Sequence, residues 1–381
     1  MTIGIVTPCV RPGDGQGRAN YEIVKYALQQ GARVRIIAHE IADDLNGSVE
    51  FFPATVPGLL NRTDLTRLLH LAGFANKTIA AWKTPPDVLH SYGYCTDAPH
   101  DLNTSQFVHT AWLRSAYHTA KINKNLYGLY QSAYTHFNIK KEYESYHRAR
   151  LVVAASRTVY QELHELIHIP EERLRVINNG ADTAEFHPLA DGEEANRAAL
   201  KLPEGVVLGL FTGDIRTPRK NLDSVLKAMA QVEGFHLAVV GRLEGSPFPA
   251  LAEQLGITPR VHFLDFRRDV AAIMRACDFF IFPSRYEACS LVLSEATASG
   301  LPVITARTTG GAEVIPEGGG LLVENPDDIA ALASALRALI DDPARRQAMA
   351  AVARARFRDQ AWDRICIAYY ELYCHLAETK P

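Results

Sequence analysis

Two glutamates, Glu287 and Glu295, stand with seven residues between them in SRYEACSLVLSEATASGLPVITARTTGGAEVI, Ser284 to Ile315. The first follows the apolar run Phe279 to Phe282, which predicts a strand. The second falls inside a helix predicted to begin near Ser290. A helix N-terminus carries unsatisfied N–H groups and partial positive charge, so the main-chain donors of Cys289, Ser290 and Leu291 suit a diphosphate. A carboxylate on either side would accept hydrogen bonds from sugar hydroxyls, one facing a transferred sugar and one a ribose. The plain alternative is two surface glutamates on an ordinary strand-to-helix turn. Pro283, Gly300-Leu301-Pro302 and Gly310-Gly311 around them weigh against it.

A second group of residues lies in FTGDIRTPRKNLDSVL, Phe211 to Leu226. Arg216, Arg219 and Lys220 cluster just after a strand, where a leaving diphosphate would need neutralising. Positive side chains aimed at charge that develops in the transition state are usually a large catalytic contribution. A solvated basic loop is the competing reading. The Gly-rich segment RPGDGQGRANYE fails as a dinucleotide fingerprint, because Arg18 and Asn20 occupy the positions where a third glycine is needed. Gly15 and Gly17 still allow main-chain N–H groups to approach a phosphate, with an ordinary turn as the equal alternative. His109, in TSQFVHTAW, is expected at a strand end facing a cleft. The stretch from Ala111 to Asn138 holds Arg114, Lys121 and Lys124 with six aromatic residues and no acidic one. It reads as core or interface, as an acceptor surface, or as peripheral contact with an anionic membrane.

These residues need elements to hold them. Ile3 to Val6, the polar loop Arg11 to Asn20, a helix closed by Gly31 and the run Val34 to Ala38 make a βαβ unit. The alternation recurs between Val206 and Ala306, after a polar stretch from Leu189 to Gly205. The fold class is therefore α/β, with two doubly wound Rossmann-like domains. The expected division is 1–185 and 186–359, with a terminal helix, 360–381, packing back on the first domain. In open α/β sheets ligands sit at the carboxyl ends of the strands.

With these pieces in place the chain resembles the retaining family 4 glycosyltransferases of GT-B fold, over nearly its whole length. The resemblance rests on the glycine loop, on NNGAD at Asn178 to Asp182, on PRKN at Pro218 to Asn221, and on the E-x7-E block with its GLPV and GG-x-E flanks. It implies two domains facing across a cleft, with the acceptor on the N-terminal side and a nucleotide diphosphate sugar on the C-terminal side. It implies that Glu287 approaches the donor sugar, Glu295 the ribose, Lys220 and an arginine the diphosphate, and His109 the donor sugar. His109, Lys220 and Glu287 are then the catalytic residues. Asp214 stands where many relatives carry the arginine, which leaves Arg216 and Arg219 both open. Cys289 replaces a more usual aromatic residue.

Composition sets the remaining bounds. The 381 residues are 47% apolar and 22% charged, with a net charge of −3, which gives no reason to expect nucleic acid. Six scattered cysteines without a CxxC pair suggest reduced thiols and a cytoplasmic setting. No D-x-D string and no metal-ligand spacing occur, so neither metal nor cofactor is expected beyond the nucleotide sugar. The acceptor is expected to be a saccharide or a lipid-linked one, in polysaccharide, lipopolysaccharide or glycolipid assembly. A front-face substitution is favoured, since no carboxylate is placed by motif as a nucleophile. A nucleotide-sugar epimerase, a phosphorylase and a catalytically silent binding protein are the rivals.

Overall fold

The computed structural model describes residues 1–13, 15–58, 60–190 and 192–380. The chain divides into two compact units, Met1–Asn179 with Asp363–Pro381, and Gly180–Trp362.

The first unit is built on strands β1 (Thr2–Val6), β2 (Arg33–Ala38), β3 (Glu50–Pro53), β4 (Val88–Tyr92), β5 (His100–Ser105), β6 (Ala149–Ala154) and β7 (Leu174–Val176). They form one parallel sheet in the order β3-β2-β1-β4-β5-β6-β7. Its helices are α1 (Gly15–Gln29), α2 (Asp64–Ala81), α3 (His109–Arg114), α4 (Thr119–Ile122), α5 (Leu126–Arg148) and α6 (Arg157–Leu166). The second unit orders β8 (Val207–Thr212), β9 (Phe235–Val240), β10 (Val261–Phe263), β11 (Phe279–Phe282), β12 (Val303–Ala306) and β13 (Gly320–Val323) as β10-β9-β8-β11-β12-β13, again parallel. Helices α7 (Leu222–Met229), α8 (Phe248–Gln254), α9 (Val270–Ala276), α10 (Leu291–Ala298), α11 (Ile329–Ile340) and α12 (Pro343–Arg356) belong to it. Both strand orders reverse direction once, between β1 and β4 and between β8 and β11. Those are the places where adjacent loops diverge and leave a crevice.

The second unit follows its apolar pattern closely. Leu208, Leu210, Phe211, Val239, Phe280 and Ile281 are fully buried or nearly so, as strands covered on both faces require. The first unit departs from pattern in two places. Gly15 and Gly17 lie in the first turns of α1 and not in a loop, because the helix begins five residues before the expected end of the glycine segment at Asn20. Buried Asn20 anchors that start, donating from Nδ2 to Thr7 Oγ1 at 2.6 Å and to the Cys9 carbonyl at 3.0 Å. The second departure is β5, whose sequence HDLNTS is wholly buried. Its polar side chains make internal hydrogen bonds: Asn103 donates to the Gly93 carbonyl and to Ser145 Oγ, and Thr104 bonds His90. His109 is accordingly not at a strand end. It opens α3, four residues beyond β5.

The last helix, α13 (Trp362–Glu378), packs on the first unit. Its fully buried Tyr373 hydroxyl meets His90 Nδ1 at 2.8 Å, and Arg150 reaches the Leu376 carbonyl at 2.9 Å. Ala181 pairs with Ala361 in a parallel bridge, and a Cβ on Gly180 would stand 2.9 Å from the Trp362 ring. The glycine of NNGAD is therefore required by close packing.

Candidate active site

In the second unit the loops after β8 and β11 meet at the sheet's reversal. The β8 loop ends in a short helical turn, Pro218–Lys220, followed by Asn221 at φ 68°. Asn221 is fully buried, and its Nδ2 donates to the Pro283 and Pro326 carbonyls at 2.9 and 2.6 Å. That left-handed turn, which asparagine tolerates, aims Lys220 back over the strand ends. Lys220 Nζ bonds Glu287 Oε2 and lies 5.3 Å from the centre of the Phe282 ring. Arg219 Nη1 approaches Glu287 Oε1 at 3.7 Å. Burial lowers the Lys220 amine below the ordinary lysine range, and the Glu287 charge opposes that shift. A mostly buried lysine, an arginine and a glutamate thus share one small space.

Arg285 holds the two loops together. Its guanidinium bonds both carboxylate oxygens of Asp223 at 2.7 and 2.8 Å, Asp327 at 2.6 Å and the Pro218 carbonyl at 2.6 Å. Its own N–H donates to the Arg219 carbonyl at 3.0 Å. Sequence reasoning missed Arg285; its only signal is an arginine next to Glu287 with Asp223 near Lys220. Arg216 turns away from Glu287: it is exposed and pairs with Asp214 at 2.8 and 3.0 Å.

The segment between the two glutamates is held differently from the expectation. The N–H of Ser290 is not available to a ligand, because it donates to the Gly310 carbonyl at 2.9 Å. Gly310 in turn donates its N–H to the Glu287 carbonyl at 3.0 Å. This two-bond clasp needs a bare α-carbon: a Cβ on Gly310 would stand 2.1 Å from the Ala288 carbonyl oxygen and 2.3 Å from that of Glu287. Gly311 follows at φ 93°. Cys289 is half-buried and outside any disulfide, Leu291 opens α10, and Glu295 lies half-buried four residues further along that helix.

In the first unit a pocket of about 140 Å³ opens at the carboxyl ends of β1, β4 and β5. Gln16, Tyr94, Gln106, His109, Tyr134, Asn138 and Glu142 are among the residues that line it. His109 is 15% exposed in its side chain; its Nδ1 lies 2.7 Å from Glu142 Oε1, and its main-chain N–H donates to Glu142 Oε2 at 3.0 Å. Phe107 and Tyr134 meet the imidazole edge to face, with centroids 5.1 and 5.7 Å away. Glu142 was not anticipated from sequence.

The basic aromatic stretch forms α3, α4 and the start of α5. Residues 121 to 127 are all exposed, and Ile122, Leu126, Tyr127 and Leu129 show 47%, 85%, 56% and 69% of their surface. The corner is tightly built, since a Cβ on Gly128 would collide with the Asn123 carbonyl at 1.8 Å. Among the described residues no helix is long and apolar enough to cross a membrane, and no group of three or more His, Cys, Asp or Glu side chains has the arrangement to hold a metal ion.

Residues 13–185 match the pattern of Glycosyltransferase Family 4, and residues 192–356 match that of Glycosyl transferases group 1. A D-inositol 3-phosphate glycosyltransferase of Xylanimonas cellulosilytica is 33% identical over 243 residues, which are 60% of this chain and 58% of that relative. The chain thus spans little more than half the length of the curated relative it matches. A sucrose-phosphate synthase structure from Thermosynechococcus elongatus superposes with a TM-score of 0.77 at 21% identity, covering 98% of both chains. The structure of Anabaena HepE in complex with UDP-glucose gives 0.65 at 20% identity, covering 98% of this chain and all of that one. The two matched segments take in most of the sequence, both sheets have the doubly wound order, and the chain belongs to the GT-B glycosyltransferases of family 4.

Proposed function

We propose that this chain transfers a sugar from a UDP- or GDP-sugar to an acceptor hydroxyl, with retention at the anomeric carbon and without a metal ion. The observation that carries the reading is the convergence of Lys220, Arg219 and Glu287 where the second sheet reverses. A departing diphosphate needs cationic partners already in place, because charge that is pre-positioned costs no reorganisation in the transition state. Lys220 and Arg219 supply it, and Arg219 fills the arginine role in preference to Arg216, which is committed to Asp214. Glu287 keeps the two cations together until donor binds and then accepts hydrogen bonds from the sugar. Leu291, Cys289 and Glu295 on the same loop and helix complete the donor contacts of the second unit. In the first unit, His109 is read as a sugar contact in the pocket that it lines. The binding of UDP-glucose by HepE, a fold relative, favours testing UDP first.

The acceptor is proposed to be a saccharide, free or lipid-linked, in polysaccharide, lipopolysaccharide or glycolipid assembly on the cytoplasmic side. The exposed Ile122, Leu126, Tyr127 and Leu129, beside Arg114, Lys121 and Lys124, suit an anionic lipid surface: apolar side chains enter the interface while the basic ones meet headgroups.

The test is a radiolabelled transfer and hydrolysis assay over a panel of UDP-, GDP- and ADP-sugars, with and without chelator. Turnover with one donor that chelator leaves unchanged supports the reading. Turnover abolished by chelator and restored by magnesium refutes the metal-free part, and conversion of donor without transfer supports the epimerase instead.

A further inference from the structure

We propose that Glu142 is a positioning residue for the transfer reaction: its carboxylate grips both the main chain and the ring of His109, keeps the ring proton on Nδ1, and so leaves the Nε2 lone pair to accept a hydrogen bond from a hydroxyl of the bound sugar. The inference rests on the reading of His109 as a sugar contact and specifies how that contact works.

Two donors of one residue converge on one carboxylate. The His109 N–H reaches Oε2 at 3.0 Å and Nδ1 reaches Oε1 at 2.7 Å. An ionised carboxylate only accepts, so Nδ1 carries the proton, and in the neutral ring Nε2 is the acceptor. The ring is then fixed from three sides, by Glu142 at Nδ1 and by the Phe107 and Tyr134 rings against its edges and faces. Its remaining exposure is toward the pocket that it lines.

Glu142 is itself held firmly. It is 4% exposed on α5, on a buried face that also carries Thr135, Asn138, Ser145 and Tyr146. A carboxylate placed there for packing alone would be costly, since an apolar side chain fills the same space without the loss of solvation. A second acid stands behind it: Glu162 on α6 has a buried Oε2 with no hydrogen-bond partner among the described residues. Burial, with the Glu142 charge adding to it, pushes the Glu162 carboxyl up to about 8. Glu162 is thus largely protonated at neutral pH.

The experiment is imidazole nitrogen NMR on the full-length chain labelled with nitrogen-15, with the His109 signals assigned by their loss in His109→Gln. The expected wild-type spectrum shows a protonated Nδ1 and an unprotonated Nε2. In Glu142→Gln the ring proton should redistribute to Nε2, and kcat should fall at least about 30-fold while the donor KM stays within about threefold. Glu144→Gln, which removes a surface partner of Lys141 two residues along the same helix, should change neither. An unprotonated Nδ1 in the wild type overturns the proposal, as does a Glu142→Gln enzyme that keeps both tautomer and kcat. Should Glu142→Gln fail to fold, the wild-type spectrum alone decides the direction of the hydrogen bond. Full kcat in His109→Gln with the expected tautomer overturns the parent reading of His109, and with it the catalytic consequence, while the grip on the ring stands.

Discussion

Lys220 and Glu287 neutralise each other in surroundings with little water, so neither tolerates loss of its partner. Lys220→Ala leaves a carboxylate facing the incoming diphosphate, and the transfer rate should fall on the order of 100-fold or more. Glu287→Gln should lower kcat similarly but keep nucleotide affinity, since the two cations remain; isothermal titration with UDP against transfer assays separates the two effects. Arg216→Ala should cost less than about threefold, because its partner Asp214 is itself half-exposed. Glu162 makes a different prediction. Its folded carboxyl titrates at about 8 against an ordinary 4.5, so the folded state keeps a proton that the unfolded chain releases. Stability from this group is full below pH 4.5 and is lost as pH rises toward 8. Glu162→Gln should therefore lose less stability than the wild type between pH 5 and 8, by roughly 5 °C in melting temperature followed by circular dichroism. At this scale the sequence displayed Lys220 and Glu287 because each lies in the loop that follows a clear apolar strand. It hid Glu142, which sits mid-helix with nothing local to mark its partner.

Helices and loops explain why. The buried face of α5 repeats at helical spacing, but with Thr135, Asn138, Glu142 and Ser145 in place of apolar residues. Hydrophobic periodicity is blind to such a face. Strand β5 has the same character, and its burial depends on partners far along the chain, such as Tyr146 with Ser105. The helix start at Gly15 escaped notice because glycine is a poor helix former and signals a turn. The apolar sheet of the second unit was legible for the opposite reason, its strands being runs dominated by Val, Ile, Leu and Phe. Two predictions belong here. Gly310→Ala should break the clasp between the Glu287 loop and the start of α10, cutting transfer at least about tenfold with a smaller loss of stability. The double substitution Leu126→Glu and Leu129→Glu should abolish sedimentation with phosphatidylglycerol vesicles and leave turnover on a soluble acceptor unchanged. Wild-type protein that ignores such vesicles would refute membrane docking.

For the molecule as a whole, the path of the chain matters more than any single contact. The first unit takes its last helix from residues 363–381, and α13 supplies Tyr373 to a histidine that has no exposure at all. Burial lowers the His90 imidazole well below its ordinary range, and the tyrosine hydroxyl is the partner of Nδ1 on that buried, neutral ring. The consequence is one of timing. The second unit is continuous in sequence, and everything it needs has emerged from the ribosome before the first unit is complete. At synthesis rates of about 5–20 residues per second, the earlier-made unit waits roughly 10–40 s for its final helix. The nascent chain must therefore spend that interval with the surface that α13 covers still open.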